Sequence, residues 1–112
     1  MKYLIIVLMS IFTISAHAQE KKNKNAKHEV EVKGNCEMCK KRIEKSSYGV
    51  KGVKSADWNV DSKQLSLIID ERKTSVEEVE NAIAKAGHDT KNVKATEENY
   101  SNLHGCCRYD RE

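Results

Sequence analysis

The sequence predicts an α+β domain, a four-stranded antiparallel sheet with two helices on one face, in the order β-α-β-β-α-β. Three observations point there. Apolar residues alternate in "HEVEVKG", "VKSADWNVD" and "KQLSLIID"; a stripe at helical spacing runs through "TSVEEVENAIAKAG"; and a second helical pattern begins inside "GNCEMCKKRIEKS". Alternation marks a half-buried strand and a 3.6-residue period marks an amphipathic helix.

In chain order, Val30 and Val32 share one face of a first strand that ends at Gly34. "CEMCKKRIEKSSYG" follows as a short helix, with Cys39 and Ile43 on its inner side, Glu44 pointing outward and Gly49 as its stop. Ala56, Trp58 and Val60 alternate in one strand and Leu65, Leu67 and Ile69 in the next, with "DSK" as the tight turn of a hairpin. Trp58 reads as core packing. The second helix opens on a capping box, Thr74 with Glu77, carries Val76, Val79, Ile83 and Ala86 on one stripe and ends at Gly87. A last edge strand is expected through Val93 and Ala95. Together these make the split βαβ, or ferredoxin-like, arrangement.

The domain, 28–96, is flanked by segments of other character. Residues 1–18 have the layout of a secretory signal: Lys2, an apolar run from Leu4 to Ile14, then Ala16-His17-Ala18 ahead of the expected cleavage point. The expectation is export across the inner membrane into the periplasm. Residues 19–27 form a polar, lysine-rich lead-in without periodicity, and 97–112 a cysteine-containing tail. With 20 Lys and Arg against 17 Asp and Glu, the chain lacks the basic excess of a nucleic-acid binder. No internal repeat, glycine-rich phosphate loop or serine nucleophile elbow is present.

Chemistry concentrates in the cysteines. Cys36 and Cys39 sit at a strand-to-helix turn, where unpaired N–H groups and the helix dipole favour thiolate over thiol. Two soft thiolates suit Cu(I) or Hg(II), whereas a closed Zn(II) site normally takes four ligands. The same spacing also serves dithiol-disulfide exchange, and cysteines of exported chains are often disulfides. The chain contains no proline, so it lacks the cis-proline that faces the reactive pair in thioredoxin-like enzymes. In the tail, Cys106 and Cys107 cannot easily bond to each other, because the ring they would close is strained. With His104 nearby, "HGCC" reads as a further soft-metal site or as ligands that fold back to complete the first; a redox tail or a disulfide to Cys36 or Cys39 is the alternative.

The run "VKGNCEMCKKRIEKSSYGVKGV", the hairpin after it and "TSVEEVENAIAKAGHDT" together resemble the heavy-metal-associated domain, the small fold of copper chaperones, metal-ATPase N-terminal modules and the periplasmic mercuric-ion binding protein. The resemblance spans Glu29 to Ala95. It implies that Cys36 and Cys39 are the metal-binding pair and that His88, after the terminal "AG", lies near the metal loop as a third ligand or an outer hydrogen-bond donor. It also implies that the basic face of Lys40, Lys41, Arg42 and Lys45 docks on an acidic partner. Gly34 stands where the family has a core methionine, and Met38 does not replace it in position. The expected function is that of a periplasmic, monomeric, non-enzymatic carrier. It binds Cu(I), with Hg(II) or, if the tail donates ligands, Zn(II) as alternatives, and hands the ion to a membrane transporter or another carrier. A thiol-disulfide oxidoreductase or redox sensor is the rival.

Overall fold

The computed structural model describes residues 22–111. The expected export signal, 1–18, lies outside the described residues, as do 19–21 of the lead-in. Strand β1 (Ala26–Glu31) leads into helix α1 (Glu37–Tyr48), hairpin strands β2 (Val53–Trp58) and β3 (Gln64–Ile69), and helix α2 (Val76–Lys85). A one-turn helix α3 (Glu97–Ser101) and a 3-10 turn, Gly105–Cys107, follow. Among the described residues no helix is long and apolar enough to cross a membrane.

The sheet is antiparallel with β3 in the middle, in the order β1-β3-β2. Its register sets Val30 and Trp58 opposite Leu65, Ala56 opposite Leu67 and Ala26 opposite Ile69. These side chains form one buried layer with Ile43 of α1 and Val79 and Ile83 of α2. Trp58 is fully buried, and its indole N–H donates to the Val32 carbonyl at 3.0 Å, so the ring's polar edge is satisfied inside the core. The hairpin connection is longer than the expected "DSK". Asn59 opens it by accepting the Asp61 and Ser62 N–H groups, each at 2.9 Å, and Lys63 closes it with φ 61°.

One local expectation shifts and another holds. Ser75, not Thr74, caps α2 by accepting the Glu78 N–H at 3.2 Å, and the Thr74 hydroxyl bonds the Glu78 carboxylate at 2.8 Å. The cap chemistry is that of the capping box, moved one residue along the chain. Gly87 ends the helix with φ +107°, and a Cβ there would lie 2.7 Å from the Asn99 carbonyl oxygen and 2.8 Å from Leu103. Glycine is therefore required both by its backbone angle and by the close approach of the tail.

The expected fourth strand does not form among the described residues; it is reduced to a single bridge between Val32 and Thr90. The reason lies in competing side chains. Beyond Thr90 the backbone donors find local acceptors: Glu80 takes the Asn92 N–H at 3.2 Å, the Thr90 hydroxyl takes Val93 at 3.0 Å, and the Asp89 carboxylate takes Ala95 at 2.8 Å. Polar side chains that bond nearby backbone offer it an alternative to a ladder.

The phase of α1 yields a direct test. Ile43 is fully buried, so Ile43→Asp is expected to cost several kcal/mol, read as a lower urea midpoint, because it places an unpaired charge in the packed layer. Glu44, expected to point harmlessly outward, instead accepts the Trp58 N–H at 2.9 Å and the Lys40 ammonium at 2.8 Å. It ties α1 to the open edge of β2.

Candidate metal centre

Strand β1 delivers the chain to the N-terminus of α1, where Cys36 is the extended capping residue (φ −148°, ψ 175°) and Cys39 lies in the first turn. Cys39 is fully buried and Cys36 half-buried. Their sulfurs are 3.4 Å apart, and the Asn35 N–H donates to Cys39 Sγ at 3.4 Å. Gly34 explains its own departure from the family pattern. A Cβ at that position would stand 3.0 Å from Cys39 Cβ and 3.1 Å from the Trp58 ring, so Trp58 fills the room that the methionine would take.

The tail comes back to this loop. Leu103, Cys107 and Tyr109 are buried to 3%, 0% and 3% exposure and belong to the main core, which makes the tail part of the domain. The Tyr109 hydroxyl accepts the Asp89 N–H at 2.8 Å and donates to the Gly87 carbonyl at 2.9 Å. Arg111 forks onto the Asp89 carboxylate with two bonds of 3.0 Å and lies 4.7 Å over the Tyr100 ring. Such bidentate pairing fixes orientation as well as position. Anchored on both sides, the 3-10 turn sets Cys106 Sγ 3.2 Å and Cys107 Sγ 3.5 Å from Cys36 Sγ, with 3.9 Å between the two tail sulfurs. The exposed Cys106 thiol also donates to Met38 Sδ at 3.6 Å.

Electrostatics single out Cys36. Burial pushes its thiol up, but hydrogen bonding to the Cys39 N–H and to the thiols of Cys106, Cys39 and Cys107 outweighs this and brings it down to about 6. Hydrogen bonding with Cys36 raises Cys106, and burial raises Cys107 strongly. Cys36 is thus set up to ionise more readily than either tail thiol.

Of the residues singled out from sequence, Cys36, Cys39, Cys106 and Cys107 meet. The three sulfurs of Cys36, Cys106 and Cys107 lie within 4.8 Å of one another, a group that includes neither His88 nor His104, and Cys39 joins it through its 3.4 Å contact with Cys36. His88 is fully buried, its Nδ1 on the Lys33 carbonyl at 2.8 Å and its ring stacked 5.7 Å from Tyr109. Burial lowers its basicity, and it braces the loop from behind. His104 is exposed and supplies a backbone carbonyl to Cys107 N–H at 2.8 Å. Lys40, counted with the basic docking face, is engaged by Asp57 at 2.6 Å and Glu44 at 2.8 Å, leaving Lys41 and Lys45 exposed. Met38 and Tyr109 were not foreseen. The signal for Tyr109 is the pair of tyrosines, Tyr100 and Tyr109, bracketing "HGCC".

Comparison with known proteins agrees with this geometry. The model of the heavy-metal-associated domain matches residues 29–89. The copper chaperone CopZ of Staphylococcus haemolyticus is 33% identical over 63 residues, which are 55% of this chain and 93% of that protein. Among solved structures, the N-terminal domain of a potential copper-translocating P-type ATPase from Bacillus subtilis, in its Cu(I)-loaded state, aligns with a TM-score of 0.57 at 28% identity, over 60% of this chain and 85% of that one. Oxidized MerP from Ralstonia metallidurans CH34 aligns with a TM-score of 0.52 at 28% identity, over 59% of this chain and 96% of that one.

Proposed function

The chain belongs to the heavy-metal-associated domain family, and on that premise we propose that it is a periplasmic, monomeric carrier of Cu(I) that binds the ion through Cys36 and Cys39 and is not an enzyme. One observation carries the reading: a half-buried sulfur, that of Cys36, stands 3.4 Å from a buried second sulfur at a helix N-terminus. That arrangement offers soft, anionic ligands to a thiophilic ion and screens one of them from solvent. Similarity to a copper chaperone and to a Cu(I)-loaded transporter domain favours Cu(I) as cargo and a membrane transporter or another carrier as recipient. Similarity to MerP keeps Hg(II) as the second ion.

Transfer proceeds by ligand exchange. A partner's thiolate bonds to the ion, the bond to the more accessible Cys36 breaks, and the buried Cys39 releases last. The ion keeps its oxidation state, so no electron acceptor is required. The exposed Lys41 and Lys45 bring an acidic partner toward the loop.

A second reading is favoured by one feature. The lowered Cys36 thiol lies 3.2 Å from the exposed Cys106, a pairing that also suits dithiol-disulfide exchange. Native mass spectrometry of the chain purified from periplasm separates the two. One Cu per chain, lost on addition of a soluble Cys-x-x-Cys acceptor domain, is the expected result. A metal-free chain, lighter by about two protons per disulfide, would overturn the carrier reading.

A further inference from the structure

Building on the family reading, we infer that Cys106 and Cys107 are ligands to the same ion as Cys36 and Cys39, so that the site is a closed set of four thiolates that accepts ions demanding tetrahedral sulfur. The two-cysteine loop is the part that the family accounts for. The tail lies beyond residues 29–89, so its contribution is particular to what this chain carries past the domain.

Three independent features support the assignment. The first is distance. At metal–sulfur bonds of about 2.3 Å, a linear two-thiolate ion holds its sulfurs about 4.6 Å apart and a tetrahedral one about 3.8 Å apart. Here Cys36 Sγ lies 3.2 Å from Cys106, 3.5 Å from Cys107 and 3.4 Å from Cys39, and the two tail sulfurs are 3.9 Å apart. Cys36, Cys106 and Cys107 therefore already stand near tetrahedral spacing, and Cys39, outside that group of three, completes the set by moving toward it around Cys36. Adjacent cysteines are able to share an ion because the 3-10 turn aims both sulfurs to one side.

The second is preorganisation. A solvated tail would lose chain entropy on closing over an ion, but here that ordering comes from apolar burial and hydrogen bonds instead. Leu103 and Tyr109 seat the tail in the core, Tyr109 bridges Asp89 N–H and Gly87 C=O, and Arg111 clamps Asp89. None of these contacts involves sulfur, so the tail is held at the loop before any ion arrives.

The third is burial. Cys107 is completely enclosed, while Cys106 remains exposed beside Met38. A buried thiol among other sulfurs is placed as a ligand that water does not compete for, and the exposed pair forms the way in and out. On binding, each thiol still protonated releases its proton to solvent and forms one metal–sulfur bond.

The test uses the chain without its export signal, reduced and loaded with Cd(II), a spectroscopic ion that takes four thiolates. Cys106→Ser is the decisive variant, because that residue is exposed and its replacement leaves the core untouched. X-ray absorption should count four sulfur neighbours in the wild type and three in Cys106→Ser. The variant's Cd(II) affinity under a competing chelator should fall by more than the about 10–100-fold that loss of an outer-shell partner costs. Two sulfur neighbours in both proteins, with equal affinity, would overturn tail coordination while leaving the Cys36–Cys39 reading intact. A wild-type chain that binds no Cd(II) and no Cu(I) would overturn both.

Discussion

Deleting everything after Asn102 is expected to destabilise the whole domain, not merely to shorten it. The deletion removes Leu103, Cys107 and Tyr109 from the packed core and opens the space they fill. It also orphans the buried Asp89 N–H and Gly87 carbonyl, both bonded to the Tyr109 hydroxyl, and strips Arg111 from an Asp89 carboxylate that is nearly fully buried. One large-to-small core change costs about 2–5 kcal/mol, and each buried polar group left unsatisfied costs about 1–3 kcal/mol. The total is on the order of the full stability of a small domain, about 5–15 kcal/mol. Urea denaturation followed by far-UV circular dichroism should show a truncated chain that is unfolded or nearly so without denaturant. A midpoint equal to that of the intact chain would show that the tail is not part of the core.

The second large effect is chemical. Cys36→Ser combined with Cys39→Ser should abolish stoichiometric Cu(I) binding in competition with a chromophoric chelator, because a hard, protonated hydroxyl does not replace a thiolate. Cys36 is the nearer loss, being the sulfur in contact with each of the other three. The fold should survive at reduced stability: Cys39 is part of the core, and a buried hydroxyl costs about 1–3 kcal/mol when unpaired. Unchanged Cu(I) affinity in a folded variant would remove the loop from the site.

What the sequence revealed, and what it hid, follows from where the information resides. The hairpin and α2 were legible because Ala56, Trp58, Leu65 and Leu67 alternate, and Val79 and Ile83 repeat at helical spacing: local pattern and tertiary burial agree. The Cys36–Cys39 loop was legible because strand, cysteines and helix are consecutive. The fourth strand was misread because Val93 and Ala95 look strand-like, whereas Glu80, Thr90 and Asp89 claim the backbone donors that a ladder needs. The same kind of non-local bond turned Glu44 from a solvent-facing residue into the acceptor for Trp58 N–H. The tail gave no periodic signal, since its burial depends on a 3-10 turn and on Tyr109 finding Asp89, twenty residues earlier. His88 followed the same logic: its position after "AG" was evident, but its direction is set by the Lys33 carbonyl, 55 residues away.

The contact between Cys36 and Cys106 joins points 70 residues apart in the chain. Any bond made there, through a shared ion or directly between sulfurs, ties off nearly the entire domain as one loop. In a chain-entropy account, cross-linking a loop of that length removes about 4 kcal/mol of disorder from the unfolded ensemble at 25 °C. Cargo and fold are then thermodynamically linked: a filled site makes the chain harder to unfold and to degrade, and an emptied one returns it to the stability of its packing alone. Delivery of the ion would thus also mark the carrier that has delivered it, because the unloaded chain is the one that opens more often to proteases.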